Sequence, residues 1–379
     1  MSCTMENLKL LEGVYQPSQG SSVDELASPA LLVDLDGLQS NISRMIDLFK
    51  DTSISVRPHM KTGKNSQIAA LLKAAGASGV CVTKVSEAAV MVAGGVDDIL
   101  ITSPVAHAVT AWWLAKLLQR GGKIRIVLDS NETADVLSSA LEDAKVESIE
   151  VLIDINVGQN RTGVAPGQPA LNLANYVASK GNLSIKGCQG YEGHLQMMDD
   201  LEQKRRLNEI AMKQLVSTAD LLRNAGHDIS IVTTGGTGTC RLCAEFSGIT
   251  EVQPGSFIFM DDAYARAIGS DNFNNALFLM ATVISRPSDE KVTIDAGWKS
   301  LSMDSGPAKP FNNAWTYQAA GDEHGYLTGD GVENLQIGDR VLMVPSHIDT
   351  TVALHEVYYV MQAGKLVDIW PIEARGRVQ

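Results

Sequence analysis

Cysteine is scarce and odd in number in this 379-residue chain, at Cys3, Cys81, Cys188, Cys240 and Cys243. Five scattered thiols make no disulfide framework, and a reducing, cytoplasmic setting suits them best. Cys240 and Cys243 have CxxC spacing, yet no second pair or histidine cluster completes a zinc site, so buried helix cysteines are expected. Positive charge is also in deficit, with 31 Lys and Arg against 44 Asp and Glu and a net charge of −13. That balance argues against nucleic acid or an anionic membrane as partner, while a local basic patch can still hold a small anion. No apolar run approaches the ~20 residues of a membrane span. The opening MSCTMENLKLLEGVYQ lacks the charged start and apolar core of a secretory signal. Walker and G-x-G-x-x-G fingerprints are missing, as are repeats and low-complexity tracts.

What is present is an ordinary globular composition, 45% hydrophobic and 20% charged, long enough for two domains. From residue 29 to about 255, nine β-rich runs alternate with helical patterns, from PALLVDL through SISVRP, GVCVT, DILIT, KIRIVLD, SIEVLIDIN, IKGCQGYE and ISIVTTG to TEVQPG. Gly76, Gly94-Gly95, Gly121-Gly122 and Gly226 stop the helices between them. This alternation predicts an α/β fold whose centre is an eight-stranded parallel β/α (TIM-type) barrel. The ninth strand pairs elsewhere, and PALLVDL is the one assigned outside. Beyond about residue 268 the pattern changes to β-like runs broken by Gly, Pro, Asp and Asn, with no strong helix. A C-terminal β-rich domain follows.

Four strand ends carry unusual side chains, and strand C-termini are where parallel barrels place chemistry. RPHMKTGK brings Arg57, His59, Lys61 and Lys64 after the first barrel strand, with Lys64 taken as the solvated start of the next helix. LIDINVGQNRTG brings Asp154 and Arg161, and GCQGYEGHLQ brings Tyr191, Glu192 and His194. TTGGTGT, residues 233–239, can turn successive backbone N–H groups and threonine hydroxyls toward one anion. A strand-mouth lysine beside a phosphate cradle, without a nucleotide fingerprint, suggests pyridoxal 5′-phosphate. Further on, His347 and Asp349 are two apart and would share a face in extended chain, a plausible pair for a divalent cation completed by water or substrate.

These segments, with PALLVDLDGLQSNI, EVQPGSFIFMD, DAGWKSLSMDSGP, PSHIDTTV and VDIWPIEARG, occur in an order that resembles the fold-type III, alanine racemase-like pyridoxal-phosphate enzymes. Within that family the chain looks like the branch of D-threonine aldolases, D-3-hydroxyaspartate aldolases and eukaryotic-type D-serine dehydratases. The resemblance implies a barrel over 30–268 that binds the cofactor, and a β-domain of 269–379 with the N-terminal segment 1–29 that carries a metal site. It implies that Lys61 forms the Schiff base, that Arg161 and Tyr191 flank the ring, and that Thr234, Gly235, Gly236 and Thr237 hold the phosphate. His347 and Asp349 match the metal pair. Dehydratases of the branch have His-x-Cys there, so aspartate favours manganese or magnesium over zinc. Gly63 departs from the KTHK of many relatives. The implied activity is retro-aldol cleavage of D-threonine and related D-β-hydroxy amino acids to glycine and an aldehyde. His59 is the first candidate base and His194 the alternative, and a homodimer is expected. A metal-dependent D-serine dehydratase is the rival enzyme; a non-catalytic pyridoxal-phosphate carrier is the rival from another class.

Overall fold

The computed structural model describes residues 17–379. Cys3 and the first part of the segment 1–29 lie outside the described residues. Two units are present: a barrel of 42–257 with 266–269 and 376–379, and a β-rich unit of 17–41, 258–265 and 270–375.

β1 (Ala30–Asp34) belongs to the β-rich unit. The barrel strands follow as β2 (Ser55–Val56), β3 (Val80–Val82), β4 (Asp98–Ile101), β5 (Lys123–Leu128), β6 (Ile149–Asp154), β7 (Leu183–Gln189), β8 (Ile231–Thr234) and β9 (Glu251–Val252). They form one parallel sheet in the order β2-β9-β8-β7-β6-β5-β4-β3. Backbone bonds close it: Ser78 N–H donates to Val56 O at 2.9 Å, Cys81 N–H to Pro58 O at 2.8 Å, and Met60 N–H to Cys81 O at 2.7 Å. Helices between the strands start on side-chain caps, such as Asn65 accepting from Ile68 N–H and Asp200 accepting from Gln203 N–H.

Side chains of a strand alternate between faces, so every second residue enters the barrel. The interior is layered. At the floor, Arg57 Nε donates to Glu251 Oε2 at 2.8 Å and its Nη1 to Asp98 Oδ1 at 2.6 Å. Arg125 donates to the same Asp98 oxygen at 2.8 Å and to Glu150 at 2.7 Å. The middle layer is apolar, with Cys81, Leu100, Val127 and Leu152 packed together and Ile231 against them. The top layer, at the strand C-termini, is polar again and holds His59, Thr102, Asp154, Gln189, Thr233 and Gln253.

The β-rich unit continues with β10 (Leu277–Ser288), β11 (Lys291–Ile294), β12 (Lys309–Pro310), β13 (Trp315–Ala319), β14 (Gly325–Gly329), β15 (Arg340–Val344), β16 (Val357–Gln362) and β17 (Lys365–Pro371). Its sheet runs β13-β14-β11-β10-β1-β16-β17, with β15 pairing β10 and β12. β1 lies antiparallel to β10 and parallel to β16. PALLVDL is therefore the strand outside the barrel, and the unit's limits differ from 30–268 because β1 is hydrogen-bonded into this sheet. Leu26, Ala30, Leu32, Met280, Tyr359, Met361 and Leu366 form a core cluster on it. No helix among the described residues is long and apolar enough to cross a membrane.

Removing one member of a buried ion pair leaves an uncompensated charge. Glu251→Ala should therefore lower the stability of the chain by ~3 kcal/mol in urea unfolding. A loss under ~1 kcal/mol would show that the floor network is not a structural element.

Candidate active site at the barrel mouth

Lys61 stands half-buried on the turn that follows β2. Its backbone N–H donates to His59 Nδ1 at 3.3 Å. His59 Nε2 lies 3.0 Å from Thr102 Oγ1, which itself donates to Val82 O at 3.1 Å. With Nδ1 accepting, the proton of a neutral His59 sits on Nε2 and points at Thr102, so both ring nitrogens are engaged within the protein. Arg57 faces away into the floor network. Lys64 differs from the expectation of a solvated residue: it is buried, at a φ of 47°, and its ammonium pairs with Glu87. That carboxylate also accepts from Thr83 N–H and Lys84 N–H, which ties the lysine turn to the start of the helix Val85–Ala93. Gly63, the departure from many relatives, is buried in the same turn.

One segment, 253–257, joins this turn to the glycine loop. Gln253 N–H is shared by Thr234 O at 3.0 Å and Gly235 O at 3.1 Å, His59 N–H donates to Pro254 O at 3.0 Å, and Phe257 N–H donates to Thr237 Oγ1 at 3.1 Å. A Cβ on Gly255 would stand 3.0 Å from both His59 O and Thr62 Oγ1, tighter than ordinary van der Waals contact, so glycine suits that approach. Gly255 is absent from the sequence-derived site; the signal available was the Pro-Gly dipeptide of VQPGSF, which is indistinguishable there from an ordinary turn.

In the glycine loop, Gly235 has a φ of 74°. Gly236 N–H donates to Thr239 Oγ1 at 3.1 Å and Gly238 N–H to Gln196 Oε1 at 2.9 Å. No acceptor for the N–H of Gly235 or Thr237 lies among the described residues. A Cβ at Gly236 or Gly238 would run into Gln196 at 2.5 and 2.3 Å. Cys240 and Cys243 lie just behind, and burial pushes both thiols up, Cys240 to about 12, which keeps them protonated and inert.

The loop after β6 is braced by Asn156, whose Oδ1 accepts from Gly158 N–H and Asn160 N–H. It presents the Arg161 guanidinium 5.6 Å from the centre of the Tyr191 ring, a cation–π arrangement. His194 is exposed on the loop after β7, with its Cε1 3.2 Å from where a Gly158 Cβ would be. It makes no hydrogen bond among the described residues. Beneath them Asp154 accepts from Thr162 Oγ1 at 2.8 Å and Gln189 Nε2 at 3.1 Å. Burial pushes its carboxyl up to about 6, against the pull of these two donors.

His347 and Asp349 stand in the β-rich unit. His347 is extended, but Asp349 lies in the first turn of a short helix, Ile348–Val352, rather than in extended chain. His347 Nε2 and Asp349 Oδ2 are nonetheless 3.9 Å apart, and His347 Nδ1 is 2.6 Å from Asp304 Oδ2. Nδ1–H bonded to a carboxylate leaves the Nε2 lone pair on the Asp349 side, the arrangement of a metal-ligating histidine. Among the described residues no group of three or more His, Cys, Asp and Glu could hold a metal ion by itself. The pair fits a divalent cation with open positions for water or substrate.

The barrel mouth fits pyridoxal phosphate as well. It offers a lysine, two backbone N–H groups without acceptors, glycines with close neighbours where a Cβ would stand, and the buried Thr62 Oγ1 without a hydrogen-bond partner. The family model described as "Alanine racemase, N-terminal domain" matches residues 33–263, and "Putative serine dehydratase domain" matches 276–361. The chain is similar to a D-threonine aldolase of Arthrobacter sp, 34% identical over 97% of this chain and 98% of that protein. It is also similar to a 3-hydroxy-D-aspartate aldolase of Paracoccus denitrificans (strain Pd 1222), 33% identical over 94% of each. The crystal structure of D-threonine aldolase from Filomicrobium marinum superposes with a TM-score of 0.92 at 36% identity, covering 96% of this chain and 99% of that one.

The raised Asp154 pKa has a defined consequence for stability. The folded carboxyl holds its proton more tightly than the unfolded one, so this group costs stability as pH rises from about 4 to about 6. In urea unfolding, Asp154→Asn should lose ~2 kcal/mol less than the parent between those pH values. Identical pH dependence in both proteins would contradict the assignment.

Proposed function

The chain belongs to the alanine racemase-like family of D-threonine aldolase and 3-hydroxy-D-aspartate aldolase, and on that premise we propose that it cleaves D-threonine and related D-β-hydroxy amino acids to glycine and an aldehyde. The observation that carries this proposal is the backbone segment 253–257, which binds a strand-mouth lysine and an anion-accepting glycine loop into one rigid site. Pyridoxal phosphate is the cofactor and a divalent cation, manganese or magnesium before zinc, the second requirement. Working as a homodimer in the cytoplasm completes the proposal.

Lys61 would hold the cofactor through its amine, with the phosphate on the backbone N–H groups of Gly235 and Thr237, Gly236 between them allowing the close approach, and the Thr234 hydroxyl behind them. When bound, the cofactor supplies an electron sink for the pair left on Cα after the Cα–Cβ bond breaks. Arg161 and Tyr191, in cation–π contact with each other, would flank its ring. Tyr191 cannot protonate the pyridine nitrogen as a carboxylic acid would, so that sink is moderate rather than extreme. His347 and Asp349 would hold the cation, which supplies a Lewis acid able to acidify a β-hydroxyl. For proton transfer, the hydrogen bonds on both ring nitrogens hold His59 in place as a positioning group. His194, exposed and without such bonds, is the better placed acceptor of the hydroxyl proton.

A second activity is kept in view by the dehydratase-domain match at 276–361. Loss of the α-proton and the β-hydroxyl would give pyruvate and ammonia from D-serine. Incubation with D-threonine, D-serine and D-3-hydroxyaspartate separates the two: the proposal expects glycine and an aldehyde, and a predominance of keto acid and ammonia would overturn it. His194→Ala should lower kcat by about 10²-fold or more, the usual contribution of a general base, with the bound cofactor retained. A larger loss in His59→Ala than in His194→Ala would reverse their roles. Chelation should abolish turnover and manganese restore it; indifference to chelator would remove His347 and Asp349 from the site.

A further inference from the structure

Glu192 is fully buried at the end of the β7 loop, and among the described residues no lysine, arginine or histidine pairs with it. Its partners are all neutral donors. Thr234 Oγ1 donates at 2.8 Å, Thr239 Oγ1 at 2.5 Å, Gln196 Nε2 at 3.3 Å and the Cys243 thiol at 3.6 Å. A carboxylate only accepts, so it fixes the direction of every bond around it.

The consequences run through the glycine loop. With its proton given to Glu192, Thr239 Oγ1 has only lone pairs left, and it accepts from Gly236 N–H at 3.1 Å and Gln196 Nε2 at 2.8 Å. Gln196 then has its NH₂ end toward Glu192 and Thr239, so its Oε1 must face the other way, where it accepts from Gly238 N–H at 2.9 Å. Two N–H groups of the loop are thereby engaged from behind, at 236 and 238. Those of Gly235 and Thr237, the alternate positions, are left for an anion. Thr234 is held by the same carboxylate through its hydroxyl, which keeps the end of β8 in place.

We propose that Glu192 is a positioning residue that sets the donor pattern of the glycine loop, and so makes the site select the phosphorylated form of its cofactor over the unphosphorylated one. A negative charge behind a phosphate cradle is otherwise unfavourable. Here it acts at one remove, through hydroxyl and amide groups whose orientation it decides. This inference rests on the loop holding the cofactor's phosphate. In Glu192→Gln an NH₂ replaces either Oε1, which accepts from Thr239 and Gln196, or Oε2, which accepts from Thr234, so at least one of these groups must reverse and the charge that fixes the loop's donor pattern is lost.

The test is equilibrium binding to the full-length apo chain, followed by absorbance and fluorescence, with pyridoxal phosphate and pyridoxal as the two probes. The parent should prefer pyridoxal phosphate strongly. In Glu192→Gln the ratio of the two affinities should fall by about ten-fold or more, as expected when charge-assisted bonds to one anion are lost, while pyridoxal itself binds within about two-fold of the parent. A purely structural role would weaken both probes alike or neither, and either result overturns the proposal. A parent without preference for the phosphorylated form overturns the phosphate cradle, and this inference with it. If Glu192→Gln does not fold, Thr239→Val breaks the same relay while keeping the carboxylate. It should lower the ratio in the same direction, and an unchanged ratio there is equally contradictory.

Discussion

A parallel barrel has no free edge only if its last strand bonds to its first. Here that closure falls on very short strands, with β9 two residues long and β2 likewise. The segment that follows β9 therefore does much of the joining itself, giving Gln253 N–H to β8 and taking His59 N–H on Pro254 O. Because the same few residues close the barrel and sit between the lysine turn and the glycine loop, the site geometry cannot relax without opening the sheet. The lysine and the anion cradle are rigidly related for a structural reason. Binding a cofactor at both ends then costs little ordering of the chain.

The layered interior separates charge by purpose. Two arginines pair with three carboxylates at the floor, one of which Lys123 also reaches, and an apolar layer separates this network from the mouth. At the mouth the amide of Gln189 links Asp154 to Gln253, which links to Thr233. Such a network is satisfied on every side and holds its members in one orientation. The loops that carry Arg161, Tyr191 and His194 rest on it. They are exposed enough to move a proton or contact a ligand, yet braced by Asn156 and by glycines that permit close approach.

Much of this was legible in the chain because local signals agreed. Alternating apolar runs and glycine stops give the barrel. Lys61, Arg161, Tyr191, Gly235, Gly236 and Thr237 lie at strand ends, where parallel barrels expose side chains. The pairing partners were not legible. Arg57 and His59 both point inward by alternation, and only the stagger of neighbouring strands puts one in the floor and the other at the mouth. Lys64 looked solvated because its counter-ion, Glu87, is 23 residues away. Glu192 is likewise separated from Thr234 and Thr239 by 42 and 47 residues. The turn at His347 was open to inspection: a residue in extended conformation before an aspartate in the first helical turn is a common helix start, and Ser-His-Ile-Asp carries that pattern.

The central claim is that Lys61 is the residue on which pyridoxal phosphate is carried. Borohydride reduction of the cofactor-loaded chain, followed by proteolysis and peptide mass analysis, locates that attachment directly. The account predicts one phosphopyridoxyl group per chain, on Lys61. Label on Lys64, Lys84 or any other lysine, or no label at all in a chain that has bound the cofactor, would contradict it.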